Sequence, residues 1–134
     1  MAGPSGPRPC CLAILLAAAV LAGCGGPSDQ QRVRQTVTDF GRAVRKRDYA
    51  HICTQLFAAR LVEQLEQINL PCEQALLRSL GSRRDVQLTV GAVKVDGTTA
   101  SAQIRTSAAG EQPSQDTLQL MKVDGHWRIS ALAS

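Results

Sequence analysis

The sequence predicts an α+β fold, in which helices come first along the chain and an antiparallel sheet follows. Up to about residue 81, apolar residues recur at helical spacing, whereas from residue 86 onward they alternate with polar residues. Two Asp-Gly pairs, at 96–97 and 124–125, supply tight turns between the alternating segments. This order is typical of helices packed on one face of a curved antiparallel sheet.

Length and charge limit the classes of protein to consider. The 134 residues are enough for one domain, which we expect at 29–134. The formal net charge is +4, and it falls to +3 when the segment 1–23, which contains Arg8, is removed. So small an excess predicts no nucleic-acid partner, although it is compatible with a position near anionic lipid head groups.

The first 23 residues are predicted to be a secretion signal. Arg8 precedes the apolar run Leu12–Ala22, and the eleven residues of this run are too few to span a bilayer. The run leads into the sequence Leu-Ala-Gly-Cys, which ends at Cys24 and resembles the lipobox of bacterial lipoproteins. That resemblance implies that the signal is cut just before Cys24, which receives a lipid. Residues 24–28 would then tether the protein to the cell membrane, outside the cytoplasm.

After removal of the signal, three cysteines remain: Cys24, Cys53 and Cys72. With Cys24 lipidated, the other two are left in a compartment that favours disulfides, so we predict that they pair. There is no Cys-x-x-Cys spacing, and the cysteines and two histidines are scattered. The sequence therefore predicts neither a redox pair, nor a metal site, nor a cofactor.

The predicted elements follow from caps and periodicity. Ser28 and Gln31 fit a capping box, which predicts a first helix running to about Lys46. Asp48 is interpreted as the cap of a second helix, and Pro71 as part of the first turn of a later one. Helical spacing predicts buried positions at Tyr49, Ile52, Cys53, Leu56, Leu61, Leu65, Ile68, Leu76, Leu77 and Leu80. Alternation predicts four strands that carry Val86, Leu88, Val90, Ala100, Ala102, Ile104, Leu118, Leu120, Trp127, Ile129 and Ala131.

Two short segments carry a resemblance to a known superfamily. The second helix is marked by Arg-Asp-Tyr at 47–49, and the last hairpin reads Val-Asp-Gly-His-Trp-Arg-Ile at 123–129. With the helices and strands in this order, residues 29–132 resemble the nuclear transport factor 2-like superfamily, which includes ketosteroid isomerases and polyketide cyclases. Secreted actinobacterial lipoproteins of this shape also carry a cysteine pair like Cys53 and Cys72. The resemblance implies a cone with a pocket between the sheet and the helices, where catalytic members place Asp, Glu, Tyr or His.

Asp48, Tyr49 and His51 are the one cluster to consider for such a pocket. Their structural alternatives are a helix cap, a core ring and a surface imidazole, and His126 should point away from the core if Trp127 points into it. We therefore predict no catalytic residue.

The favoured interpretation is a membrane-anchored envelope protein that binds a small apolar ligand in the cone or another envelope protein on its sheet. The alternatives are an isomerase- or dehydratase-like enzyme that uses the cone, and a scaffold that forms a homodimer through the sheet.

Overall fold

The computed structural model describes residues 2–3, 5–6 and 25–132, so the predicted signal and Cys24 lie outside the described residues. In this part of the chain, helices pack on one face of an antiparallel sheet with the strand order β1-β2-β3-β4, as the α+β prediction requires. The helices are α1 (Asp29–Lys46), α2 (Tyr49–His51), α3 (Ala59–Gln67) and α4 (Cys72–Leu80), and the strands are β1 (Gln87–Asp96), β2 (Thr99–Ser107), β3 (Ser114–Val123) and β4 (His126–Leu132). None of the helices in these ranges has the length and hydrophobicity that crossing a bilayer requires.

The first helix begins at its predicted cap and ends at Lys46, as the sequence predicts. The Ser28 hydroxyl accepts from the Gln31 backbone N–H at 3.2 Å, and the Gln31 side chain accepts from the Ser28 N–H at 2.8 Å. This reciprocal pair satisfies two of the N–H groups that a helix start leaves without partners. The helix packs closely on β1 at Gly41, where an added Cβ would lie 3.1 Å from that of Leu88.

The second helix starts at its predicted cap but changes type. The Asp48 carboxylate accepts from the His51 backbone N–H at 3.1 Å. After His51 the chain continues as a π-helical turn, Ile52–Leu56, in which Ile52 and Leu56 are buried. The apolar spacing could not distinguish an α-helical turn from a π-helical turn here. Over so short a segment both place the same few residues toward the core.

Two residues predicted on buried faces are exposed. Ile68 lies just after the last residue of α3 and is 67% exposed, while Leu77 of α4 is 56% exposed. In α4 the buried positions are Cys72 and Leu76, one turn apart. Leu77 is rotated by about 100° from Leu76 around the helix axis, and this turns it away from the sheet.

Cys53, in the π-helical turn, and Cys72, at the start of α4, are linked by a disulfide in the structure. Their Cα atoms are 6.0 Å apart, and 19 residues separate them in sequence. The bond joins two helical segments that the chain connects only through α3 and the turn after it.

The sheet confirms the predicted alternation of β2 and β3, and of β4 as far as Ile129. Ala100 pairs with Leu120, and Ala102 pairs with Leu118; all four side chains are buried. Trp127 and Ile129 of β4 are also buried. Their side chains form the concave face, against which the helices pack.

A bulge follows Ile129 in the pairing of β3 with β4. Ile129 pairs with Leu120, but Ala131 pairs with the exposed Gln119. The prediction that Ala131 is on the buried face is therefore wrong.

A β-bulge in β1 shifts its alternation by one residue. Val90 pairs with Ile104, but Val93 pairs with Ala102, so one extra residue lies between them on β1. Arg34 of α1 donates to the carbonyl oxygens of Val90 and Gly91 at 3.1 and 3.0 Å. The bulge bends β1 and returns Val93 to the concave face.

Asp29 ties the start of α1 to the β3–β4 hairpin. The Lys122 ammonium donates to its carboxylate at 3.0 and 3.2 Å, and the Trp127 indole N–H donates at 3.1 Å. The bond from Lys122, followed by the one from Trp127, lowers the pKa of Asp29 below its ordinary value.

An Asp29→Asn variant is expected to lose part of the acid dependence of stability. Because the pKa of Asp29 is lower in the folded chain than in the unfolded one, its ionised form stabilises the fold above the ordinary carboxyl pKa. This contribution is lost as the pH falls through the folded value. Urea unfolding between pH 7 and pH 2.5 should therefore show the wild-type advantage shrinking toward acid. Equal pH dependence in the two proteins would contradict the account, and Lys122→Met should behave like Asp29→Asn.

Candidate functional site

A cavity of about 600 Å³ lies between helices α3 and α4 and the concave face of the sheet. This volume is within the range of about 300 to 1,000 Å³ that small-molecule sites occupy. Its walls are mainly aliphatic, because the apolar faces of α3 and α4 meet the inward residues of the strands there. The apolar lining consists of Phe40, Val44, Phe57, Leu61, Leu65, Leu70, Ala75, Leu76, Leu80, Val86, Leu88, Ile104, Ala108, Leu118 and Leu132.

Two phenylalanines supply the aromatic part of this lining. Phe40 of α1 and Phe57, which follows the π-helical turn, have ring centroids 6.0 Å apart and an interplanar angle of 33°. Both side chains are buried. Phe57 is held by the backbone, since its segment forms a parallel bridge to Ile129 and the Ala58 N–H donates to the Ile129 carbonyl at 2.8 Å. The aromatic end of the cavity is therefore rigidly attached to the sheet edge.

A chain of polar side chains lies on the concave face at the other end of β2 and β3. Ser114 donates its hydroxyl proton to Asp116 at 2.9 Å. Its contact of 2.7 Å with the Thr106 hydroxyl must then use the Thr106 proton. All three residues line the cavity. The arrangement gives an otherwise apolar cavity one edge at which a ligand can form hydrogen bonds.

An ion pair stands beside this polar edge. Arg83, after α4, and Glu111, in the loop between β2 and β3, approach to 3.5 Å, and each side chain is 42% exposed. Both residues line the cavity. At this exposure the pair contributes little to stability, but it puts one positive and one negative group at the rim.

The three residues that the sequence suggested for the pocket do not line this cavity. Asp48 is an exposed helix cap, His51 is exposed, and Tyr49 is 8% exposed within the hydrophobic core. The reason is that α2 packs against α1 and α4, whereas the cavity lies between α4 and the sheet. An isomerase-like site built on this trio is not formed. His126 is exposed beside the buried Trp127, as alternation predicts.

The sequence reasoning missed Asp116, the carboxylate that does face the cavity from the sheet. Its signal was present, because Ser114 and Asp116 precede Leu118 at intervals of two residues on the same strand. Asp116 pairs with the buried Ile104 across β2 and β3, which confirms that this register points inward. A polar residue at the end of an apolar alternation was overlooked because it resembled the start of a loop.

The site is an apolar cavity with polar side chains along its rim. In the portion of the chain that the structure describes, no three His, Cys, Asp or Glu side chains are grouped so that they could hold a metal ion. The groups that line the cavity are aliphatic side chains, two phenyl rings, hydroxyl groups, the Gln112 amide, the rim ion pair and Asp116.

Solved structures that resemble this one share its cone. A protein of unknown function from Shewanella baltica, described as nuclear transport factor 2-like, has a TM-score of 0.57 at 18% identity, over 80% of this chain and 94% of its own. A similarly described protein from Silicibacter pomeroyi has a TM-score of 0.56 at 16% identity, over 75% and 89%. A de novo designed protein of the same fold has a TM-score of 0.54 at 12% identity, over 79% and 87%. At these identities the likeness establishes the fold alone.

No curated protein matches the sequence. A family model does match it over residues 28–132, from the cap of α1 to the last residue of β4, and its description is "Putative lumazine-binding". The matched region contains every element that builds the cavity. Because this match covers well over half of the chain, the protein belongs to that family, and its domain has the nuclear transport factor 2-like fold.

Proposed function

We propose that the protein is a lipid-anchored bacterial envelope protein whose cone holds a small, mainly apolar ligand without transforming it. The observation that carries the proposal is the cavity of about 600 Å³, whose walls come mostly from leucine, valine and phenylalanine. Burying apolar surface from a ligand contributes roughly 25 cal/mol per Å². A cavity with such walls is thus suited to retain an apolar molecule.

The family description also suggests a small ligand, and it names lumazine. Lumazine is a flat bicyclic heterocycle with hydrogen-bonding groups around its edges. In this cavity apolar side chains outnumber polar ones, and the polar ones include the group Thr106, Ser114 and Asp116. The aliphatic remainder favours a ligand with a larger apolar part.

The proposed anchor is supported by the sequence and by where the fold begins. Ser28 already caps α1, so only residues 25–27 separate Cys24 from the domain. Such a segment spans about 3.5 Å per residue when extended. Lipidation of Cys24 would therefore hold the cone within a few residues of the membrane surface.

An Ala75→Trp variant is expected to lose ligand binding, because the indole would fill the cavity from α4. The measurement is the fluorescence enhancement of N-phenyl-1-naphthylamine, a neutral apolar probe, added to a chain that starts at Gly25. This chain retains all the helices and strands of the domain. We expect the probe to bind the wild type and its affinity to fall about tenfold or more in the variant, or about 1.4 kcal/mol.

The matched control is Gln74→Trp, which adds the same ring one residue away, at an exposed position outside the cavity. It should bind the probe as the wild type does. Circular dichroism shows whether each variant is folded. The proposal fails if the wild type does not bind the probe, or if folded Ala75→Trp and Gln74→Trp bind it equally.

A protein partner that binds the sheet, either a second copy or another envelope protein, would contact its outer face, because the helices pack on the concave face. Gln103, Arg105 and Gln119 are exposed there, so the face is polar. Light scattering on the chain from Gly25 distinguishes a homodimer from a monomer.

A further inference from the structure

We propose that the ligand is an anionic amphiphile, with its apolar part in the cavity and its charged head group in an adjoining groove of four arginines. This inference rests on the proposed function and adds the chemical class of the ligand. The groove, called here the arginine groove, has a volume of about 410 Å³. Its arginines are Arg45, Arg47, Arg83 and Arg84.

The fold brings these arginines together from two distant segments. Arg45 and Arg47 lie at the C-terminal end of α1, and Arg83 and Arg84 lie between α4 and β1. Arg47 has a φ of 57° and is the left-handed residue that ends α1, with its backbone N–H bonded to the carbonyl oxygens of Ala43 and Val44. Asp85, which follows Arg84 and also lines the groove, has a φ of 52°.

The arginine groove and the cavity share part of their walls. Leu80 and Val86 line both spaces, and Val44 and Arg83 do so too. The two spaces are therefore adjacent, with only these four residues between the cavity and the other three arginines. This contiguity is the observation that joins an apolar body and a charged head in one ligand.

The positive charge of the arginine groove favours a negatively charged head group. Asp85 is the one acidic residue among the groove's lining residues, and Arg83 is engaged with Glu111 at 3.5 Å. Within residues 25–132, no carboxylate lies within 4.0 Å of the guanidinium groups of Arg45, Arg47 or Arg84. Part of this charge complements the negative end of α1. The remainder is suited to an anion, since guanidinium groups bind carboxylate and phosphate oxygens in pairs.

A matched set of ligands separates the head group from the apolar body. Dodecanoate, dodecyl phosphate and dodecanol share a twelve-carbon chain and are used below their micelle concentrations to displace bound N-phenyl-1-naphthylamine. We expect the anionic ligands to displace the probe at concentrations about tenfold lower than dodecanol does. A difference of this size is what one or two charge-assisted hydrogen bonds to the head group would contribute. Comparing dodecanoate with dodecyl phosphate shows which head group the groove prefers. Their advantage should shrink as salt is added.

The variant Arg45→Gln/Arg84→Gln is expected to lose the preference for anions while still binding the neutral probe. The control Arg42→Gln/Arg78→Gln removes the same charge from α1 and α4 at exposed positions outside the groove, and it should keep the preference.

The inference is overturned if dodecanol matches the anions, or if the preference survives in Arg45→Gln/Arg84→Gln. In both cases probe binding would persist, so the proposed apolar site would stand. If the probe does not bind the wild type at all, the proposed function itself is wrong and this inference falls with it.

Discussion

A Cys24→Ser variant is expected to lose fatty-acid labelling completely. The lipidation that we propose requires the cysteine sulfur as the nucleophile, and a hydroxyl does not replace it. The measurement is metabolic labelling with an alkyne-tagged palmitate.

Cys10 and Cys11 provide the matched control for this experiment. They lie in the segment that we expect to be removed, so replacing either with serine should leave labelling unchanged. Labelling that persists in Cys24→Ser would refute the lipobox interpretation. Loss of labelling in Cys10→Ser or Cys11→Ser, with Cys24 intact, would also argue against it.

Removing the Cys53–Cys72 bond is expected to lower the free energy of unfolding by about 3 kcal/mol. The estimate comes from the loss of loop-closure entropy in the unfolded chain for a separation of 19 residues. For a domain of this size it corresponds to a decrease of roughly 10 °C in Tm. The variant is Cys53→Ala/Cys72→Ala, since alanine leaves no polar atom in the position of the buried Cys72.

The single tryptophan reports this unfolding. Trp127 is 4% exposed in the folded chain, so its fluorescence should change strongly when the core opens. A reductant should shift the wild type toward the variant and leave the variant unchanged. Peptide mapping without reduction should recover Cys53 joined to Cys72. Free thiols at Cys53 and Cys72, or equal unfolding midpoints for the wild type and the variant, would contradict the predicted disulfide.

Much of the fold could be predicted because local signals agree with its tertiary packing. The capping box at Ser28 sets the start of α1, and the Asp-Gly turns set the first and last hairpins of the sheet. The sequence predictions are wrong where long-range packing determines which way a side chain points. Leu77 repeats the apolar pattern of its neighbour Leu76 but faces solvent, and a bulge before Ala131 moves that residue from the predicted buried face to the outer face.

The candidate site was harder to predict than the fold, because its residues are far apart in sequence. Asp48 and His51 looked like a site since they are adjacent titratable residues on one short helix, yet both are exposed. The alternation before Leu118 could have identified Asp116. Nothing local could have shown that Arg45 and Arg84 line one groove, because 39 positions separate them and only the packing of α1 beside the start of β1 brings them together.

The claim that a ligand occupies the cavity is tested most directly by nuclear magnetic resonance of the ¹⁵N-labelled chain from Gly25. The backbone amides are followed while N-phenyl-1-naphthylamine is added. We predict that the shifts concentrate at cavity residues such as Leu65, Ala75 and Ile104, while those of Asp48 and His51 stay in place. Shifts centred on Asp48 and His51, or no saturable shifts at all, would contradict the account.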